Sequence, residues 1–170
     1  SGSPVLLIHG FDSCFLEFRR LAPLLKNKHQ LIIPDLFGFG FCPRPKRSRY
    51  GKEEIINHLY CLIKQLTKDS KIGLIGASMG GAISVELARE YPEKISKVLL
   101  LAPAGLTGEA KPVPPLLDQL GVWFLSLPIV RKKLCEQAFA DPKKSMSRKE
   151  EQIASIHIKT PGWKESLAAF

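Results

Sequence analysis

Hydrophobic residues fall into two kinds of segment that alternate along the first hundred positions. Short continuous apolar runs occupy residues 5–8, 31–33, 72–75 and 98–101. Between them, apolar residues recur every three or four positions. One stripe holds Phe15, Phe18, Leu21, Leu24 and Leu25 within residues 15–25. A second holds Ile55, Ile56, Leu59, Leu62, Ile63 and Leu66 within residues 53–67. That spacing predicts amphipathic helices, and residues 80–90 read as a third. Strands with no polar side must be covered on both faces. The prediction is therefore an α/β chain, a parallel sheet with helices on both faces. Functional groups on such a sheet collect at the carboxyl ends of its strands.

Beyond Ala104 the character changes. Lys111-Pro112-Val113-Pro114-Pro115 reads as a stiff, extended entry. Residues 116–130 are rich in Leu and carry Trp123 and Phe124. Phe139-Ala140-Asp141-Pro142 reads as a turn, and residues 150–158 as a helix ended by Pro161-Gly162. Two parts are expected: a core over 1–106 and a helical excursion over 107–170.

Composition narrows the class without naming a chemistry. The 170 residues are 45% hydrophobic and 24% charged, enough for one sizeable core. The net charge of +9 is densest at Arg44-Pro45-Lys46-Arg47-Ser48-Arg49, on a loop. No aromatic residues interleave with these cations and no nucleic-acid module is visible, so a solvated basic loop is expected and no nucleic-acid partner. Cys14, Cys42, Cys61 and Cys135 match no metal or redox spacing, and Cys61 reads as a small core residue. No run is long enough to cross a membrane, and no signal peptide is visible. A cytoplasmic location is the default expectation, and an organellar one agrees equally with the residues.

The chemistry enters with Gly76-Ala77-Ser78-Met79-Gly80-Gly81. This is G-x-S-x-G set between a predicted strand and a predicted helix, the context of a nucleophile elbow. The turn is sharp enough to strain the serine backbone, and the glycines avoid collisions with strand and helix. A glycine-rich turn that binds phosphate is the competing reading. The strand Pro4-Val5-Leu6-Leu7-Ile8 running into His9-Gly10-Phe11 argues against it. Acyl transfer needs two backbone N–H donors for an oxyanion, one after the nucleophile and one after an earlier strand. Met79 and Phe11 occupy those places.

Together with Ile33-Pro34-Asp35-Leu36-Phe37-Gly38-Phe39-Gly40 and Val98-Leu99-Leu100-Leu101-Ala102-Pro103, these segments resemble the α/β-hydrolase fold family, specifically its lidded serine members. The resemblance covers about the first two-thirds of the chain. The rest is similar only in lying where a lid is commonly inserted. It implies Ser78 as nucleophile, Phe11 and Met79 as the oxyanion hole, and no metal or organic cofactor. Relatives that dehalogenate or open epoxides carry Asp at the elbow, so Ser78 argues against both. Carbon–carbon bond hydrolases and cofactor-free haloperoxidases use Ser and stay open.

The family order is Ser, then an acid, then His, on loops after later strands. No such strands are predicted after residue 107. The expectation is an α/β-hydrolase core without its C-terminal part, its acid and base lying outside these residues. Four histidines are candidates for the base, which must come within hydrogen-bond reach of the hydroxyl. His9 is expected to order the oxyanion loop, His29 to face solvent, and His58 to sit on a helix away from the strand ends. His157 follows Ser78 but lies on the predicted lid helix. Asp35 is expected to shape its loop by accepting backbone N–H bonds. Asp12 and Ser13 are expected to form the loop and cap the next helix.

The implied function is a serine hydrolase that cleaves a carboxylic ester or related acyl substrate through an acyl-enzyme. The substrate is expected to be a small molecule with an apolar group, received by the lid residues Leu117, Leu120, Trp123 and Phe124. Arg131-Lys132-Lys133 beside them would hold the lid near anionic lipid. The alternative is a non-catalytic binding module of the same fold, or an inactive fragment. The sequence assigns no oligomeric state.

Overall fold

The structure, a computed structural model, describes residues 2–46, 48–68, 70–106 and 115–170, with the backbone alone for 115–118. Four parallel strands form one sheet in the order β2-β1-β3-β4. They are β1 (Ser3–Ile8), β2 (His29–Ile32), β3 (Ile72–Ala77) and β4 (Ile95–Leu101). Side chains on a strand alternate between faces, and β1 divides accordingly. Leu6 and Ile8 join Ile72 and Leu74 of β3 in a cluster with Ile55, Ile56, Leu59 and Ile63 of α2 (Lys52–Thr67) and Ile83 and Leu87 of α3 (Met79–Glu90). Val5 and Leu7 join Ile75 and Ala77 on the opposite side, covered by Phe18, Leu21 and Leu25. Helices therefore cover both faces of the central strands. β4 is different: Leu99, Leu100 and Leu101 are all exposed.

The first predicted helix is interrupted. Residues Phe15–Arg19 form a 3-10 turn, and α1 spans only Ala22–Leu25. Pro23 lies in the first turn of α1; with no N–H to donate, it cannot continue a helix from the preceding turn. Residues 116–130 likewise divide into α4 (Pro115–Ser126) and α5 (Pro128–Gln137), parted at Leu127 by Pro128. Asp141 caps a short α6 (Pro142–Ser145), and Ser147 caps α7 (Arg148–Ser155). A 3-10 turn (Ile156–Lys159) and α8 (Trp163–Ala168) follow. The predicted entry 111–115 and Leu116 and Leu117 lie outside the residues whose side chains are described.

Two expectations about single residues are corrected. Cys61 is exposed, because α2 turns Leu59 and Ile63 to the sheet and Cys61 away from it. Ser13 and Asp12 do not cap the turn that begins at Phe15. The Phe15 N–H is taken instead by the Asp35 carboxylate at 2.6 Å, and Asp35 also accepts the Phe41 N–H at 2.8 Å.

Candidate functional site

Ser78 sits between the end of β3 and the start of α3 with φ 50° and ψ −121°. Backbone bonds hold it in that conformation. Its N–H donates to the Leu101 carbonyl at 3.0 Å. Its carbonyl accepts the N–H groups of Gly81 at 2.9 Å and Ala104 at 3.0 Å. The glycines around it are dictated by close approach. A Cβ on Gly80 would collide with the Ile8 carbonyl of β1, and one on Gly76 with the Gly80 carbonyl and the Ser84 hydroxyl. The start of α3 thus lies directly on the strands, and Ser78 is lifted clear of both.

The loop after β1 comes up against this turn. A Cβ on Gly10 would stand 3.2 Å from that of Ser78. His9, with no exposed surface, fixes the loop. Its Nε2 accepts the Leu36 N–H at 3.0 Å, so Nδ1 carries the proton and donates to the Gly10 carbonyl at 2.8 Å. Burial holds the His9 pKa below the usual histidine value, outweighing the pull of the Gly10 carbonyl and of Glu17 and Asp35. His9 is therefore a neutral structural group with both nitrogens engaged. Glu17 accepts the Gly10 N–H at 3.0 Å from the other side. Among the described residues, the N–H groups of Phe11 and Met79 have no acceptor.

Ser78 opens onto a cavity of about 830 Å³. Gly10, Phe11 and Asp12 line it from the sheet side, and Leu125, Arg131, Leu134, Ile153 and His157 from the helices. Two thiols line it, and burial pushes Cys14 up to about 11 and also raises Cys135. Among the described residues, four non-glycine positions have positive φ, and Asp12, Ser78 and Ala102 of these line the cavity. Backbone strain concentrates where a structure holds functional groups against their local preference.

Asp12 is the link that sequence reasoning missed. Its buried carboxylate receives Arg131 of α5, the His157 Nε2 at 3.0 Å and the Trp163 Nε1 of α8 at 2.8 Å. Burial alone would raise the Asp12 pKa, but the His157 hydrogen bond and the Arg131 charge together hold it below the usual carboxylate value. Arg131 also donates to the Ala154 carbonyl, tying α5 to α7. A second tie runs from Arg19 and Arg20 to Glu150. The sequence carried one usable signal, an Asp directly after the candidate oxyanion donor. It could not say which distant side chains would reach it.

Of the predicted site residues, Ser78 and Phe11 line the cavity and Met79 follows at the helix start. Leu117 lies outside the described side chains. Leu120, Trp123 and Phe124 do not line the cavity; they are 53%, 56% and 54% exposed. α4 buries Val122 and turns Leu125 to the cavity, which leaves positions 120, 123 and 124 outward. Arg131, expected on the surface, is buried against Asp12. His157 is 1% exposed and, among the described residues, makes no hydrogen bond to Ser78. No cluster of three His, Cys, Asp or Glu side chains among the described residues is placed to hold a metal ion.

The chain is similar to several known proteins. The chain is 30% identical, over 99% of its length, to a 2-hydroxy-6-oxo-2,4-heptadienoate hydrolase of Pseudomonas putida, and spans 60% of that protein. It is 31% identical, over 99% of its length, to the alpha/beta hydrolase domain-containing protein VTE7 of Arabidopsis thaliana, of which it spans 52%. Lipase 1 of Psychrobacter immobilis is 42% identical over 62% of the chain and 33% of the lipase. In fold, the chain superposes along its whole length on 61% of a meta-cleavage product hydrolase from Pseudomonas fluorescens IP01, with a TM-score of 0.80 at 24% identity. The family model for the alpha/beta hydrolase fold matches residues 3–144, which include β1, the Ser78 turn and β4. By its sheet, its strained strand-to-helix turn and that match, the chain belongs to the alpha/beta hydrolase fold family.

Proposed function

We propose that this chain is the nucleophile-bearing part of a serine hydrolase that cleaves a carboxylic ester or related acyl substrate. The observation that carries the reading is Ser78 itself, held strained on the wall of a cavity that Phe11 also lines, while the Phe11 and Met79 N–H groups have no acceptor among the described residues. The Ser78 oxygen attacks the acyl carbon while its proton passes to a general base. The carbonyl oxygen becomes an oxyanion held by the Phe11 and Met79 N–H groups. The tetrahedral intermediate collapses to an acyl-enzyme and expels the alcohol, and water then cleaves the acyl-enzyme. His9, Glu17 and Asp12 set the position of the Phe11 donor before substrate arrives, and such preorganised donors are worth about 10²–10³ in rate each.

Helices α4 to α8 act as the lid in this reading. Leu125, Leu134 and Ile153 give the cavity an apolar wall suited to an apolar acyl or alcohol group. A second reading keeps the nucleophile and changes the bond to carbon–carbon. It is favoured by the similarity to the hydroxy-oxo-dienoate hydrolase, which extends through the helices, whereas the match to Lipase 1 covers 62% of the chain.

The test is covalent labelling of the full-length protein by a fluorophosphonate, read by intact mass. Labelling that disappears in Ser78→Ala is the expected result. A folded full-length protein that takes up no label would overturn the assignment and favour the non-catalytic module. Where labelling succeeds, turnover of aliphatic esters against hydroxy-oxo-dienoates separates the two substrates.

A further inference from the structure

The outward faces of α4 and α5 have no role in the site described above. On α4, Leu120, Trp123 and Phe124 stand at i, i+3 and i+4 and so share one face; all three are more than half exposed. On α5, Ile129, Lys132 and Lys133 have the same spacing, and all three are exposed, Ile129 at 66%. A single residue, Leu127, joins the two helices. The inward positions are taken: Val122, Val130, Arg131 and Cys135 are buried. The outward set is thus apolar at one end and cationic at the other.

Charge identifies the occupant. Residues 119–135 contain no Asp or Glu. Lys132 and Lys133 are both exposed. Exposed Trp, Phe, Leu and Ile beside a lysine pair with no intervening acid form the composition that lies in a bilayer interface, the aromatic rings at headgroup depth and the ammonium groups against lipid phosphates. No helix among the described residues is long and apolar enough to cross a membrane, so the contact is with its surface.

We propose that the outer face of α4 and α5 docks on the surface of an anionic lipid bilayer, with Leu120, Trp123, Phe124 and Ile129 inserted and Lys132 and Lys133 on the headgroups. The docking is independent of Ser78 chemistry, so it is measured with Ser78→Ala protein and stands or falls apart from the proposed reaction. A bilayer at this place would also bring an apolar substrate to the helices that wall the cavity.

The experiment is flotation with phosphatidylcholine vesicles with and without 30 mol% phosphatidylglycerol, together with tryptophan emission and quenching by brominated lipid. Trp163 is buried and serves as the internal reference, while Trp123 is the reporter. The expected result is binding to anionic vesicles that weakens as salt rises, with blue-shifted and quenched emission that disappears in Trp123→Leu. Lys132→Gln with Lys133→Gln should weaken binding by about thirtyfold. Leu120→Ser with Phe124→Ser should release the protein without lowering its melting temperature, since both positions are exposed. Three outcomes would overturn the proposal: no flotation with anionic vesicles, binding that leaves Trp123 unquenched, or a lipid-free dimer in sedimentation that shields Trp123 from acrylamide.

Discussion

Replacing Ser78 by Gly should make the protein more stable than replacing it by Ala. The two variants lose the same hydroxyl. They differ in the Cβ, and the Cβ is what makes φ 50° and ψ −121° costly. A non-glycine residue held in such a region costs about 1–3 kcal/mol. Glycine removes that cost but releases more unfolded-chain entropy, a loss of about 0.4–1 kcal/mol. The net gain for Ser78→Gly over Ser78→Ala is about 1 kcal/mol. In a chain of this length it appears as a melting temperature higher by roughly 2–4 °C.

The comparison is clean because the bonds imposing the conformation are backbone bonds. The Ser78 N–H to Leu101, and its carbonyl to Gly81 and Ala104, survive both substitutions. Paired thermal melts followed by far-UV circular dichroism, with urea unfolding as a second measure, give the difference. If Ser78→Gly melts at or below Ser78→Ala, the turn is unstrained and no stability is surrendered there.

Other consequences follow from the groups around Ser78. His9 is neutral in the folded chain, with its pKa lowered by burial, so the unfolded chain binds a proton that the folded chain does not. Stability should be complete above pH 6.5 and fall as pH drops below it, by at most about 1.4 kcal/mol per unit; urea unfolding at fixed pH values tests this, and a flat profile from pH 7 to 5 contradicts it. Asp12→Ala leaves Arg131, His157 and the Trp163 N–H buried without their acceptor, and should cost about 3–5 kcal/mol. Trp163→Phe removes one of those bonds and should cost less, and a double-mutant cycle of the two should show coupling of at least about 0.5 kcal/mol. Gly80→Ala drives a methyl group into the Ile8 carbonyl, so α3 must move off β1, and the melting temperature should fall well below that of a substitution at exposed Glu90.

Legibility in the sequence tracked how local each determinant is. The four strands, the α2 and α3 helices and the elbow were readable because a continuous apolar run, a 3.6-residue stripe and G-x-S-x-G each depend only on near neighbours. The breaks at Pro23 and Pro128 are locally encoded too, although the apolar stripe over 15–25 runs through Pro23 and hides the first. The face that a helix presents was harder. α4 is apolar nearly all round, with Leu120, Val122, Trp123, Phe124 and Leu125 in six positions, so periodicity alone could not say that Val122 and Leu125 turn inward. Of the expected pocket residues, Leu120, Trp123 and Phe124 therefore fall on the outward face.

The Asp12 cluster was out of reach for a different reason. Its members are separated by 119, 145 and 151 residues from the carboxylate they share. Nothing in the local sequence of any of them requires the others. Arg131 in particular sits in Arg-Lys-Lys, where three adjacent cations read as one patch. The helix separates them, burying Arg131 on Asp12 and leaving Lys132 and Lys133 in solvent. The same run of sequence thus serves two surfaces: one arm holds the helices against the loop that carries Phe11, and two arms face outward. Asp12 follows Phe11 directly, so movement of α5, the 156–159 turn or α8 pulls on the residue next to the candidate oxyanion donor. The helices and the loop that carries Phe11 meet at that carboxylate, so under the proposed function Asp12 is the position where stability and fluorophosphonate labelling of Ser78 should be lost together.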